Sequence, residues 1–349
     1  MTKRVRVLIV DDSALIRSVL QRGLSADPNI EVVGTARDPY QARDLLVRTR
    51  PDVITLDLEM PRMDGLTFLR RFMAVLPVPT IVLSAVAGQS SALALEALAA
   101  GAVEVVAKPS AHLKVGLEDM MSTLITKVKA AAQARVGRRI DDAKATAYRG
   151  KALDRTTDLV IGMGASTGGV AALNRILPAF PASAPGIVIV QHIPAGFSTE
   201  FAQHLGTICA MKASEARDGD RVLRGHILVA PGGDRQLEVR RVGGEYRVTL
   251  SKGPPVSGHI PSVNVLFNSL AEHVGRNAAG CLLTGMGDDG ATGLLSMLRA
   301  GGHTVAQDRE TCAVWGMPAV AQSIGAVQRL LPLVDIPAAL LEWASAFAP

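Results

Sequence analysis

Aromatic residues are scarce in this chain, at 3% of 349 residues against 48% hydrophobic overall. The core must therefore be aliphatic, the composition of parallel strands buried on both faces. Cysteine is scarcer still. Cys209, Cys281 and Cys312 are odd in number, far apart and without metal-ligand spacing, which argues against a disulfide framework or a zinc module. No apolar run reaches the length of a membrane span. The basic start Met1–Arg6 has the look of a signal sequence, but the apolar stretch Val7–Val10 is cut at once by Asp11 and Asp12. A reducing, cytoplasmic setting is expected, with no membrane insertion. The net charge of +5 is also confined. Residues 126–155 hold nine Lys/Arg against three Asp, which more than accounts for the whole excess. The basicity thus belongs to one connecting segment and not to a nucleic-acid-binding face.

What the chain does have is alternation. Val/Ile/Leu runs at 5–10, 30–34, 52–57, 79–83 and 103–106 interleave with helix-like stretches at 14–25, 38–49, 65–75, 90–100 and 117–133. A second series follows residue 157, with strand runs at 159–162, 187–190, 281–284 and 304–306. Between them, 236–250 carries Gly243-Gly244 flanked by alternating residues, a hairpin signal. Alternation of this kind predicts the α/β class, with parallel sheets covered by helices. Two doubly wound domains are expected, 1–125 and 157–349, joined by a basic linker over 126–156. The second should be mostly parallel with a β-hairpin.

In an open α/β sheet, functional groups gather where strands end at their carboxyl edge. The first series ends its strands in Asp11-Asp12, Asp57 and Ser84, and its last strand leads into Lys108-Pro109. Taken singly, an Asp after a strand is more often a turn or helix cap. Three carboxylates converging on one edge, however, need a cation among them, and oxygen ligands of this kind suit Mg²⁺. Asp57 could then attack a phosphoryl donor. Lys108 would neutralise the phosphoryl charge and Ser84 would hydrogen-bond it. Together with Leu56-Asp57-Leu58-Glu59-Met60-Pro61-Arg62-Met63-Asp64-Gly65, these residues resemble the receiver domain of two-component response regulators over 1–125. That resemblance implies a flavodoxin-like sheet, phosphorylation of Asp57, and metal binding by Asp11, Asp12, Asp57 and the backbone carbonyl of Glu59. Where many receivers carry an aromatic three residues before the Lys, this chain has Val105. Switching through domain contacts is expected instead of an aromatic flip.

The second series opens with Asp158-Leu159-Val160-Ile161-Gly162-Met163-Gly164-Ala165-Ser166-Thr167-Gly168-Gly169. Three readings compete: a dinucleotide fingerprint, a G-x-S-x-G turn exposing a nucleophilic Ser, or glycines that only make a tight turn. The next strand ends in Gln191-His192-Ile193-Pro194, with no acid where a ribose ligand is expected. A His at that tip suits a general base instead. A third strand runs into Thr284-Gly285-Met286-Gly287-Asp288-Asp289-Gly290, where either Asp could orient an imidazole. Ser, His and Asp at three strand ends are what acyl transfer requires. Their order differs from the Ser, Asp, His order of α/β-hydrolases.

These segments, with Lys252-Gly253-Pro254-Pro255-Val256 and Pro261-Ser262-Val263, resemble the catalytic domain of the chemotaxis protein-glutamate methylesterases, the CheB family, over about 157–340. The resemblance implies Ser166 as nucleophile, His192 as base and Asp289 as its orienting carboxylate, with Asp288 ranked second. The backbone around Thr167 and Met286 would supply oxyanion donors, each worth about 3–4 kcal/mol of barrier. Substrates would be γ-methyl esters and glutamines of methyl-accepting chemoreceptors, with no cofactor for the esterase. The phosphodonor would be the histidine kinase of the chemotaxis array, and the receiver would cover the cleft until phosphorylated. Some relatives carry Arg at the places of Gly258 and Ile260 and Asp at that of Asn264, so this loop is expected to present a different surface to substrate. The rivals are a receiver-linked oxidoreductase, which needs the missing ribose acid, and a DNA-binding regulator, which needs a basic recognition helix.

Overall fold

Five short aliphatic runs become the five strands of the first sheet. The computed structural model describes residues 3–85, 89–108, 115–137 and 158–347. The chain divides into two compact units near residue 139. The first contains β1 (Val5–Val10), α1 (Ala14–Ser25), β2 (Ile30–Ala36), α2 (Pro39–Thr49), β3 (Val53–Asp57), α3 (Gly65–Val75), β4 (Thr80–Ser84), α4 (Gln89–Ala99), β5 (Glu104–Ala107) and α5 (Val115–Ala131). The sheet order is β2-β1-β3-β4-β5, parallel throughout, the flavodoxin-like arrangement. Local chemistry sets the helix starts. Asp38 accepts from the amides of Tyr40 and Gln41 with Pro39 at the first helical position, and Asp64 accepts from Thr67 N.

The expected linker boundary at 126 is too early. Helix α5 continues to Ala131, and Val128 and Ala131 are buried in the core of the first unit. Two of the residues counted as linker charge are fixed there: Lys127 pairs with Glu104 at 2.9 Å and Lys129 with Asp27 at 2.5 Å. A helix face that packs on the sheet outweighs the local run of positive charge. The rest of the expected linker, from 138 on, lies outside the described residues, as does Pro109.

The second unit contains β6 (Val160–Ala165), α6 (Gly169–Ile176), β7 (Gly186–Gln191), α7 (Ser198–Ile208), β8 (Lys212–Glu215), β9 (His226–Val229), β10 (Arg235–Val242), β11 (Glu245–Lys252), α8 (Val263–His273), β12 (Ala278–Leu282), α9 (Ala291–Arg299), β13 (His303–Gln307), α10 (Met317–Ser323), β14 (Arg329–Leu331) and α11 (Ile336–Ser345). Seven strands form a parallel sheet in the order β14-β13-β12-β6-β7-β9-β8. Strands β10 and β11 form the expected antiparallel hairpin. From β6 the chain moves one way to β7 and returns on the other side as β12. The crevice at that reversal is where doubly wound sheets place their sites. Strands β8, β9 and β14 had no clear signal. They are short, and β8 and β14 lie at the sheet edges with part-exposed patterns. No described helix is long and apolar enough to cross a membrane.

Candidate functional site

Neighbouring strands bring the nucleophile and base candidates together. Ala165 of β6 is in register with Gln191 of β7, and His192 N donates to Ala165 O at 3.0 Å. Ser166 and His192 are thus the first residues past two paired strand ends. Ser166 sits in the turn between β6 and α6, where Gly168 adopts φ 77° and admits the sharp reversal. On the other side, Ser166 N donates to Thr284 O at 3.0 Å. The next residue must be glycine, since a Cβ on Gly285 would lie 2.7 Å from Ser166 Cβ. The Gly285–Met286 backbone therefore passes close against the serine. The Met286 N–H has no backbone acceptor among the described residues, as an oxyanion donor requires. Thr167 is buried, and its carbonyl accepts from Thr284 Oγ1 at 3.0 Å.

Between the two aspartates the structure discriminates clearly. Asp288 is exposed and spends its carbonyl on Ala291 N, whereas Asp289 is 1% exposed. Asp289 Oδ2 lies 2.9 Å from His192 Nε2 and 2.7 Å from Val263 N. Its Oδ1 accepts from Ser262 Oγ at 2.7 Å and Asn264 N at 3.0 Å. The carboxylate thus rests on the amino end of α8, where backbone N–H groups and the helix dipole favour negative charge. Burial works to raise its pKa, but hydrogen bonds from His192, Ser262 and Asn264 outweigh it and hold the carboxyl below its ordinary value. Since Asp289 holds Nε2, the proton belongs on that nitrogen and the lone pair on Nδ1. His192 Nδ1 is buried and has no protein partner. The serine–histidine hydrogen bond is therefore not formed here; such bonds commonly close only with substrate present.

Several residues of this centre carried no sequence signal as participants. His259 stacks on His192, ring centroids 3.7 Å apart and planes 12° from parallel. Gln236, buried on the hairpin, donates through Nε2 to Pro254 O (3.3 Å) and His259 O (3.2 Å), and accepts from Ser262 N (2.8 Å). Gln191 Nε2 donates to Ser166 O at 3.0 Å. The expected loop ends inside α8 at Asn264. That side chain is buried and faces inward: its Oδ1 accepts from Gly293 N (2.8 Å) and Thr292 Oγ1 (3.0 Å), capping α9. It ties two helices together, and its Nδ2 donates to Ser257 Oγ at 3.2 Å.

In the first unit, the strand ends of β1 and β3 put Asp11 and Asp57 face to face across Lys108. Lys108 Nζ lies 2.8 Å from Asp57 Oδ2 and 3.2 Å from Asp11 Oδ2. Ligand oxygens of Asp11, Asp12 and Asp57 all lie within 4.8 Å of one another. Burial raises the pKa of Asp57 against the opposing pull of Lys108, with Asp11 adding to the rise. Asp57 Oδ1 accepts from Glu59 N at 3.1 Å, while the Glu59 carboxylate turns away to Ser90 Oγ at 2.5 Å. The structure does not bring Ser84 onto Asp57. Its hydroxyl donates to Ser90 O at 3.0 Å instead. Val105 is buried inside the sheet.

Fold and sites together define the class: a parallel α/β hydrolase joined to a receiver domain. Comparison with known proteins narrows it. The family model of the CheB methylesterase matches residues 161–340, and that of the response regulator receiver domain matches 7–116. A protein-glutamate methylesterase/protein-glutamine glutaminase of Syntrophotalea carbinolica is 49% identical over 338 residues, covering 95% of this chain and 96% of its own. One of the same name from Sulfurimonas denitrificans is 50% identical over 339 residues, with 95% and 96% covered. The crystal structure of the Thermotoga maritima CheB methylesterase catalytic domain, 34% identical, superimposes with a TM-score of 0.52 over 54% of this chain and 99% of that one. The chain belongs to the CheB methylesterase family.

Proposed function

We propose that this protein removes γ-methyl esters from glutamates of methyl-accepting chemoreceptors, and deamidates glutamines there, under the control of phosphorylation at Asp57. The observation that carries the esterase reading is the 2.9 Å contact between His192 Nε2 and the buried Asp289, one residue beyond the strand pairing that sets Ser166 beside His192. Ser166 Oγ attacks the ester carbonyl as His192 Nδ1 takes its proton. The tetrahedral oxyanion is met by backbone N–H groups at Thr167 and Met286. Collapse breaks the bond to the leaving group, which takes the proton from His192 and departs as methanol, or as ammonia from an amide. Water, activated by the same nitrogen, then releases the carboxylate and frees Ser166. Asp289 keeps the proton on Nε2 and stabilises the imidazolium formed in each step.

The acidic pocket fits Mg²⁺. Three carboxylates share one edge, Lys108 supplies a single positive charge, and Asp11 Oδ2 is buried without a well-aligned hydrogen bond. Asp11, Asp12, Asp57 and the Glu59 carbonyl would hold the ion. When bound, it offsets the charge of phosphoryl oxygens. Asp57 is the phosphoacceptor, with the histidine kinase of the chemosensory array as donor. Lys108 would move from the carboxylates to the phosphoryl group, and Ser84 would leave Ser90 to join it. The working site is the cytoplasm.

The test is methanol release from membranes bearing methylated chemoreceptors. Wild type should release methanol and Ser166→Ala should not. Release that survives in Ser166→Ala would refute the serine mechanism, and no release from wild type would refute the substrate.

A further inference from the structure

Among the described residues, the His192 ring is held by one hydrogen bond. Its Nε2 meets Asp289, but Nδ1 has no partner, so the ring is free in principle to pivot about the Nε2 contact. A base that must present one lone pair to a serine cannot tolerate that freedom, since small misplacements of reacting groups are costly. The second constraint has to come from packing, and the structure supplies one flat group: the His259 ring, 3.7 Å away and within 12° of parallel.

The loop carrying His259 is itself fixed. Val256 and His259 exchange backbone hydrogen bonds at 2.9 and 3.1 Å. Gln236, from the hairpin, accepts from Ser262 N and donates to the carbonyls of Pro254 and His259. The same loop ends in Ser262, whose hydroxyl donates to Asp289 at 2.7 Å. One short segment thus braces the face of the imidazole with His259 and the carboxylate behind it with Ser262.

We propose that His259 is a positioning residue for the esterase, a flat wall that fixes the plane of His192 and aims Nδ1 at Ser166. This rests on the assignment of His192 as the base.

The test compares His259→Ala, His259→Phe and His259→Leu in the full chain, as kcat and KM for methanol release from methylated receptor membranes. Leu fills the volume without a flat face, so a folding defect caused by a cavity is separated from loss of the stack. His259→Ala and His259→Leu should each lower kcat by about tenfold to a hundredfold with KM within about twofold. His259→Phe should return kcat to within about threefold of wild type, the cost of an imperfect ring match. Unchanged kcat in Ala and Leu, loss expressed in KM alone, or Phe no better than Leu would each overturn the proposal. Ser166→Ala, run beside them, separates the two levels. If it is inactive while the His259 variants are normal, only the positioning role fails; if it is active, the underlying mechanism fails.

Discussion

Asp289→Asn tests whether the carboxylate does what its surroundings imply. Asp289 accepts from His192 Nε2, Ser262 Oγ, Val263 N and Asn264 N. An asparagine has the same shape but only one acceptor oxygen. With its NH₂ on the Oδ2 side, it confronts Val263 N–H donor to donor and obliges His192 to carry its proton on Nδ1. The lone pair that Ser166 needs is then gone. With the NH₂ on the other side, it confronts Asn264 N–H donor to donor and leaves that amide only the Ser262 hydroxyl, 3.1 Å away, as acceptor. A buried donor left unpaired costs about 1–3 kcal/mol. Loss of the correct tautomer costs about 10⁴-fold in kcat, equivalent to roughly 5 kcal/mol of barrier. KM should stay near wild type, because Asp289 is buried behind the base. The pH dependence has a definite sign. The folded carboxyl titrates below its ordinary 3.8, so its stabilisation is fully present above about pH 4 and is lost as pH falls through the folded value. The stability gap between wild type and Asp289→Asn should therefore narrow on acidification. Methanol release and urea unfolding at neutral and acid pH measure both effects. A folded variant with kcat within about tenfold of wild type, or a gap that widens in acid, would refute the reasoning.

Three other perturbations follow from the two centres. Chelation of divalent cations should abolish activation by a small phosphodonor and leave basal methanol release unchanged; a fall in basal release would place a metal in the esterase. Asn264→Ala should lower stability by about 1–3 kcal/mol, because Gly293 N and Thr292 Oγ1 lose their buried acceptor. Its KM should be unchanged, and a raised KM would restore the loop to substrate recognition. Deleting residues 1–137, a cut that spares no part of α5, should raise basal esterase activity if the receiver occludes the cleft. Activity that stays the same or falls would remove autoinhibition from the account.

The strands bearing the two centres were legible because buried parallel strands write themselves as aliphatic runs, and the chemistry stands at their ends. Ser166, His192, Asp57 and Lys108 are candidates read in that way. Choosing Asp289 over Asp288 needed the family resemblance, for both follow the same Gly-rich turn. In space the two differ: Asp289 is buried against the start of α8 and meets His192, while Asp288 is exposed. The supporting residues were hidden for a different reason. Gln236 and Ser262 act through contacts between a hairpin, a loop and a helix that no local pattern records. His259 looked like any loop histidine until its ring was seen on His192. Asn264 reads as part of a substrate-facing loop because some relatives carry Asp there, while its Oδ1 turns inward to α9. Lys127 and Lys129 read as solvated linker charge but sit on a packed helix with fixed acidic partners.

The proposed function rests on coupling between the Asp57 phosphoacceptor and the Ser166 esterase. The most direct test is methanol release from methylated receptor membranes with and without a small phosphodonor, for wild type, Asp57→Asn and Ser166→Ala. Release should rise with phosphodonor in wild type, stay at the basal level in Asp57→Asn and vanish in Ser166→Ala. Stimulation that persists in Asp57→Asn, or wild-type release that ignores the phosphodonor, would contradict it.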